Sequence, residues 1–388
     1  MSSTNIITVA EGLNKVVCRD FKIFSNFLYI CGQYYLLNRW IAVIYCYDLQ
    51  GNLQRNFGQN GKVVLTSLNN STESFNLLFD TNSLYIIGTS RRNNLDGFIC
   101  KLNRQTGAPV NNFGQNSIRM IDAMGRNDFV VDSVINNNQL YLLGYTIHNG
   151  YYSMYLININ INNGNIIPIQ GSNTILNGIS FNYINQFLLI SSPNKDLDPK
   201  ALTLDNGNLI ICGGIRNNTT DSIAIQLSSA IAPMGVIIED YQGKYDINNQ
   251  IVVKDSNKYL GLATVTNPVN LNIVRIAQYN KSPFSLDNTF NPRLIFTQNM
   301  DLYGKSIIFR DENAYVLCNA PNNVYIFCVK KDGSYTTLRY LSTGNKSLVG
   351  NYIILNNFLY VIMDFDKISR VYRIDTNIFK QPLTTITM

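Results

Sequence analysis

The chain has 388 residues, 46% of them hydrophobic and 14% charged, a balance that supplies apolar surface for a large core and excludes intrinsic disorder. The formal net charge of +6 is spread without a block of like charges, which excludes the clustered basic footprint of a dedicated nucleic-acid binder. No apolar stretch reaches the length of a membrane-spanning helix, and the first residues lack the basic-then-apolar pattern of a secretory leader, so the expectation is a cytoplasmic or virion-associated chain with no membrane partner.

Taken in chain order, residues 5–10 read as a strand that lies outside the first repeat. The repeat then opens with an aromatic and aliphatic run ending in a small residue, Leu28-Tyr29-Ile30-Cys31-Gly32, which returns as Leu84-Tyr85-Ile86-Ile87-Gly88 and Leu140-Tyr141-Leu142-Leu143-Gly144. Degenerate copies centre on Ile210, Tyr259, Tyr315 and Tyr360, giving successive spacings of 56, 56, 69, 49, 56 and 45 residues. Each unit resolves into four short apolar runs bounded by Asn, Asp and Gly clusters, the pattern of strands joined by tight turns. The second unit predicts strands at 75–79, 84–87, 98–102 and 118–121, with Asp80-Thr81-Asn82-Ser83 as the first turn, because Asn and Asp accept left-handed backbone or bond their own amides. The small residue ending the second run predicts crowding against the face of a neighbouring sheet. The long spacing of 69 places an extra hairpin or loop near 169–194. Units of roughly 50 residues that cannot bury both faces alone predict blades stacked around an axis. The expected architecture is therefore all-β, one domain over 1–388: a seven-bladed β-propeller of four-stranded antiparallel blades, its ring closed by a terminal strand. Residues 5–10 and 383–387 compete for that closing role, with either one strand or both used.

The link between the third and fourth runs carries a recognisable signature. Leu53-Gln54-Arg55-Asn56-Phe57-Gly58-Gln59-Asn60-Gly61-Lys62-Val63 resembles the delta-60 type repeat, and Val110-Asn111-Asn112-Phe113-Gly114-Gln115-Asn116 and Leu286-Asp287-Asn288-Thr289-Phe290-Asn291 echo it. The third-strand segments beginning at Asp96 and Asp221 resemble that repeat as well. The resemblance implies a propeller-like repeat protein without common catalytic residues. Physically, the Phe is expected to pack on the adjoining blade while the glycine permits a sharp reversal.

Chemistry is sparse. His148, the only histidine, is expected in a polar loop at 146–150, and no two cysteines have the close spacing of a metal-ligand pair. The seven cysteines lie in apolar runs and read as reduced core residues. No phosphate-binding glycine loop is present, so no cofactor and no metal is expected. Two carboxylates from different units could still converge for glycoside hydrolysis. Glu73, Asp96, Asp122, Asp128, Asp221, Asp301 and Asp364 are the candidates, although capping of turn amides is the ordinary role of such residues. Loops that differ from unit to unit carry Arg39, Trp40, Arg91, Arg92, Arg126, Arg216 and Lys305, the expected binding residues. Trp40 also suits a half-buried place in its strand. Asparagine is roughly one residue in seven, a bias that AT-rich codons favour, as in large DNA viruses. The leading expectation is a non-enzymatic protein-interaction scaffold or structural component, viral in origin. The alternatives are a nucleic-acid-associated propeller and a carbohydrate-binding or glycan-hydrolysing one.

Overall fold

The computed structural model describes residues 6–9, 16–36, 38–68, 71–91, 94–184, 186–241, 244–267, 271–290, 293–295, 301–321, 323–331, 334–341, 347–365, 368–376 and 386–387. Arg92, the ends of the two candidate closing segments and the side chain of Asp364 lie outside the described residues. Among the described residues no helix is long and apolar enough to cross a membrane.

The described strands fall into seven sheets. Sheet one is Val16–Phe24, Phe27–Leu36, Arg39–Asp48 and Lys62–Val64, and sheet two is Thr72–Phe79, Ser83–Arg91, Leu95–Asn103 and Ile118–Ile121. Sheet three opens with Phe129–Asn136, Gln139–His148 and Tyr151–Asn160, and sheet four is Asp196–Asp205, Asn208–Arg216, Thr220–Leu227 and Pro233–Glu239. Sheet five is Asp246–Val253, Lys258–Thr266 and Asn272–Lys281 with two short outer strands, Phe284–Leu286 and Arg293–Ile295. Sheet six is Tyr303–Arg310, Asn313–Ala320, Asn323–Val329 and Tyr335–Leu341, and sheet seven holds Ser347–Leu355, Phe358–Phe365 and Ile368–Asp375. Two compact units divide the chain: one comprises 1–139, 159–165 and 342–382, the other 140–158, 166–341 and 383–388.

Strict four-stranded blades do not hold throughout. In sheet three the chain at 169–194 forms three strands, Thr174–Leu176, Ile179–Ile184 and Phe187–Ser191, the last of them paired with Tyr151–Asn160; with the short strand Ile166–Ile167, which also pairs with Tyr151–Asn160, the sheet reaches seven strands. The two terminal segments do not compete either. Ile6–Val9 pairs antiparallel with Ile368–Asp375 as the outer strand of sheet seven, whereas Ile386–Thr387 runs parallel beside Tyr335–Leu341 of sheet six.

Local chemistry accounts for the regularity. The tight turns place Ser25, Asn26, Asn137, Asn206, Asp311, Glu312, Asn356 and Asn357 at positive φ, where Asn and Asp carry the smallest penalty. Asp80 Oδ1 accepts from the amides of Asn82 (2.8 Å) and Ser83 (2.6 Å), as the turn chemistry requires. The expected crowding at the end of the second strand is real, but its cause lies within the sheet. A Cβ on Gly32, Gly88 or Gly213 would stand 2.2, 1.9 or 2.1 Å from the carbonyl oxygen of Val17, Glu73 or Asp198 in the adjoining first strand, beside a β-bulge.

Cores form between successive sheets. In the first unit, Phe57 joins Tyr29 and Cys46 of sheet one to Leu77, Ile86 and Phe98 of sheet two. Phe57 and Phe113 are both fully buried, and each contributes about 2–3 kcal/mol of burial free energy. The glycine after each Phe has φ near +57° and a backbone carbonyl within 2.2 Å of any added Cβ. Its amide donates across the junction, Gly58 to Thr106 O (2.7 Å) and Gly114 to Asn163 O (2.9 Å). The repeated tyrosine does likewise: Tyr29 Oη donates to Arg104 O at 3.1 Å, and Tyr85 Oη reaches Ile161 O at 3.3 Å and Asp80 Oδ2 at 2.6 Å. Burial, reinforced at Tyr85 by Asp80, holds both hydroxyls well above the usual tyrosine range.

The first strands of neighbouring sheets pack together and are tied by polar side chains at the bulges. In the first unit Asp20 Oδ2 accepts from Leu77 N at 2.8 Å, and Asn76 Nδ2 donates to Asp132 Oδ1 at 2.8 Å. In the second, Gln250 Oε1 accepts from Ile307 N at 2.8 Å. Asp20, Asn76 and the half-buried Gln250 sit at one repeat position, and each satisfies a donor or acceptor of the next sheet.

Candidate binding surface

In the second unit, strand ends of sheets three to six bring tyrosines together with charged side chains. Tyr145 and Tyr152, on adjacent strands of sheet three, meet edge to face with centroids 5.5 Å apart. The amide of Tyr152 donates to Asp196 Oδ1 at 2.8 Å, which pins that strand end to the start of sheet four. Two residues on, the Asp198 carboxylate lies 2.9 Å from Lys200 Nζ and 3.9 Å from Arg216 Nη2. Tyr145, Tyr152, Asp196, Leu197, Asp198 and Arg216 line a cavity of about 180 Å³. Tyr245 stands close enough for the Asp198 carboxylate and Arg216 to act on its hydroxyl, which burial foremost and then Asp198 push above the usual range. Burial and Asp198 shift Tyr145 the same way.

Tyr303 and Lys305 extend this surface along the first strand of sheet six. The residues from Tyr303 to Ser306 alternate exposed and buried, so the period of two puts both side chains on the solvent face. Asn272 Nδ2 donates to Tyr303 Oη at 3.0 Å. Tyr152, Tyr245 and Tyr303 remain 41, 39 and 41% exposed, whereas the tyrosines of the sequence repeat, such as Tyr29, Tyr85 and Tyr259, are buried.

Of the residues expected to bind, only Arg216 and Lys305 fall in this unit. Arg39, Trp40, Arg91 and Arg126 belong to the other. There Trp40 is half-buried and meets the 41%-exposed Tyr35 edge to face at 5.3 Å, while Arg91 and Arg126 are exposed. The tyrosines of the surface were not anticipated. A chain with 24 tyrosines offers little to distinguish the exposed ones, although doublets such as Tyr151-Tyr152 at a strand start are a usable signal.

The carboxylates sort differently. Asp96, Asp122 and Asp128 each place an oxygen within 4.8 Å of the others'. Asp128 Oδ2 accepts from the amides of Ala123 (2.7 Å) and Met124 (3.3 Å), and Asp122 Oδ1 accepts from Gly125 N at 2.6 Å. An all-oxygen set of this kind suits a hard cation such as Ca²⁺. Equivalent strand positions in the second unit hold Asp221, Asp240 and Asp246, near enough to act on one another electrostatically, and Tyr241 N donates to Asp246 Oδ2. Burial pushes the Asp246 carboxyl up to about 7, and the charges of Asp240 and Asp221 add to the shift. The six-residue spacing of Asp122 to Asp128, repeated from Asp240 to Asp246, was the available sign of this motif. Asp301 caps the start of another strand, accepting from Asn272 N at 2.8 Å.

The seven cysteines are all buried and form no disulfide. Burial pushes the Cys46 and Cys100 thiols up to about 12, away from the thiolate a nucleophile needs. His148 ends the second strand of sheet three instead of lying in a loop, and its Nε2 is 3.1 Å from Asn149 Nδ2.

No family model and no curated protein matches the chain. Among solved structures, the β-propeller domain of the Trilobed protease from Pyrococcus furiosus aligns with 95% of this chain and 100% of its own, with a TM-score of 0.50 and 8% identity. Prolyl oligopeptidase B from Galerina marginata aligns with 92% of the chain over 47% of its own length, at 0.47 and 12%. A neuraminidase-like protein of A/little yellow-shouldered bat/Guatemala covers 98% of both chains at 0.45 and 10%. The first of these likenesses identifies the fold: the chain is an all-β protein with a β-propeller fold.

Proposed function

We propose that this protein is a non-catalytic, seven-bladed propeller of the delta-60 repeat type that serves as a protein-interaction scaffold, with the tyrosine-rich surface of the second unit as its docking face. Each of the seven sheets contains one copy of the sequence repeat, which supports the blade count. The observation that carries the functional reading is the cluster of Tyr152, Tyr245 and Arg216 around Asp198. Tyr and Arg are the side chains most enriched at binding hot spots, because each combines a large contact area with a polar tip. A partner that covered this surface would desolvate Arg216 beside a carboxylate already in place, which lowers the penalty of burying the guanidinium.

The test is affinity capture of tagged wild-type protein and a Tyr152→Ala/Tyr245→Ala variant from the native source, each with and without nuclease. Defined proteins that survive nuclease and are lost with the variant support the reading. Partners that disappear on nuclease treatment favour nucleic acid stacked on the same tyrosines. Equal recovery with both proteins removes this surface as the docking face.

A further inference from the structure

The strands added to sheet three build a second site whose chemistry differs from that of the tyrosine surface. Along Ile179–Ile184, Ile179 and Phe181 are buried while Ser180, Asn182 and Ile184 are half-exposed, so one face packs and the other presents polar groups. Ser180 lies opposite Ser191 in the antiparallel register, and Asn182 follows Ser180 on the same face. These residues join Tyr151, Ser153 and His148 in lining an open cleft of about 570 Å³, within the usual range for small-ligand sites. Tyr151 is 36% exposed on this side, whereas its neighbour Tyr152 contributes to the other surface.

The lining is unusual in what it lacks. Among the described residues that line the cleft there is no Asp, Glu, Lys or Arg. Serine hydroxyls and asparagine amides each offer donors and acceptors, so they can pair with a ligand whose own groups do both. A phosphate, sulfate or carboxylate would find no lysine or arginine there, and a nucleic-acid backbone only the single imidazole of His148. A purely apolar ligand would leave the hydroxyls and amides without partners. We infer that the cleft of sheet three binds a neutral oligosaccharide, with Ser180, Asn182 and Ser191 hydrogen-bonding its hydroxyls and Tyr151 covering the apolar face of a sugar ring. This site is independent of the proposed docking face.

The inference is tested by saturation-transfer NMR and calorimetry on the full chain with neutral trisaccharides of glucose, galactose and N-acetylglucosamine at millimolar concentration, beside sialyllactose and a sulfated disaccharide. At least one neutral saccharide is expected to bind, more tightly than either charged one. Asn182→Ala and Ser180→Ala should each weaken that binding about tenfold, the loss of one or two hydrogen bonds. Met234→Ala, on an exposed position of sheet four, should leave it unchanged, and circular dichroism would establish that all variants fold. Absence of any neutral-saccharide signal, stronger binding of the charged saccharides, or retention of affinity in both cleft variants would overturn the proposal.

Discussion

Sheets two and three start from nearly the same sequence unit and end in different places. Their second strands, Ser83–Arg91 and Gln139–His148, share the Leu-Tyr-aliphatic-Gly motif, and both third strands turn back through an Asn whose Oδ1 caps an amide two residues on, Gln105 in one and Asn162 in the other. After that turn, sheet two runs through Phe113-Gly114 to a short outer strand, Ile118–Ile121. Sheet three has no Phe-Gly pair there, and its edge is continued by Phe187–Ser191 and two further strands. In sheet two the Phe-Gly link buries a ring between sheets and the chain ends the sheet with one short outer strand. In sheet three, which lacks the link, the edge takes on new strands, and the polar face of those strands is free to become a ligand site.

The largest effect should come from removing the ring buried at the link of sheet two. Phe113→Ala is expected to cost about 3–5 kcal/mol in urea unfolding, as a fully buried aromatic replaced by a cavity. Gly114→Ala follows, at about 2 kcal/mol or more, because alanine must adopt left-handed backbone against the Ile118 carbonyl. Tyr85→Phe tests the tie across the same junction and should cost about 1 kcal/mol through the bonds to Asp80 and Ile161. Asn182→Ala, on the extended sheet, should change stability by less than about 0.5 kcal/mol, since its side chain faces the cleft. A loss comparable with that of Phe113→Ala would show the added strands to be structural and would break the contrast.

The two aspartate clusters give a pH prediction. The folded protein holds the proton of Asp246 up to about pH 7, whereas an unfolded chain releases it near pH 4. The folded state therefore binds more protons through that window, and its stability falls as pH rises from about 4 to about 7. Asp246→Asn keeps an acceptor for the Tyr241 amide, removes the ionisation, and should raise the melting temperature at pH 8 while leaving that at pH 4 nearly unchanged. A variant as pH-dependent as the wild type would contradict this account.

The fold was legible because its determinants are local: the apolar runs around Tyr29, Tyr85 and Tyr141, the Asn and Asp turns, and the Phe-Gly links all operate within a few residues. The sites were not, because they depend on which strand ends come together. Asp96, Asp122 and Asp128 could be named one by one, yet only the pairing of the third and fourth strands of sheet two, with the Asp128 amide bonded to Leu95 O, shows that they converge. The meeting of Ser180 with Ser191 rests on a register within added strands, which length alone could place only as a hairpin or loop. Arg216 was named for its charge, whereas its surroundings of Tyr145, Tyr152 and Tyr245 come from three different stretches of chain. The crowding at Gly32 and Gly88 was read correctly as crowding and wrongly in origin, since a bulge in the neighbouring strand leaves no mark in composition.

The most direct test of the scaffold reading is site-specific photocrosslinking in extracts of the native source, with a benzophenone amino acid placed in turn at Tyr152, Tyr245 and, as a control, the exposed Met234. The reading predicts the same discrete protein adduct from Tyr152 and Tyr245 and its absence from Met234. Adducts that are indistinguishable at all three positions, or none at the two tyrosines, would contradict it.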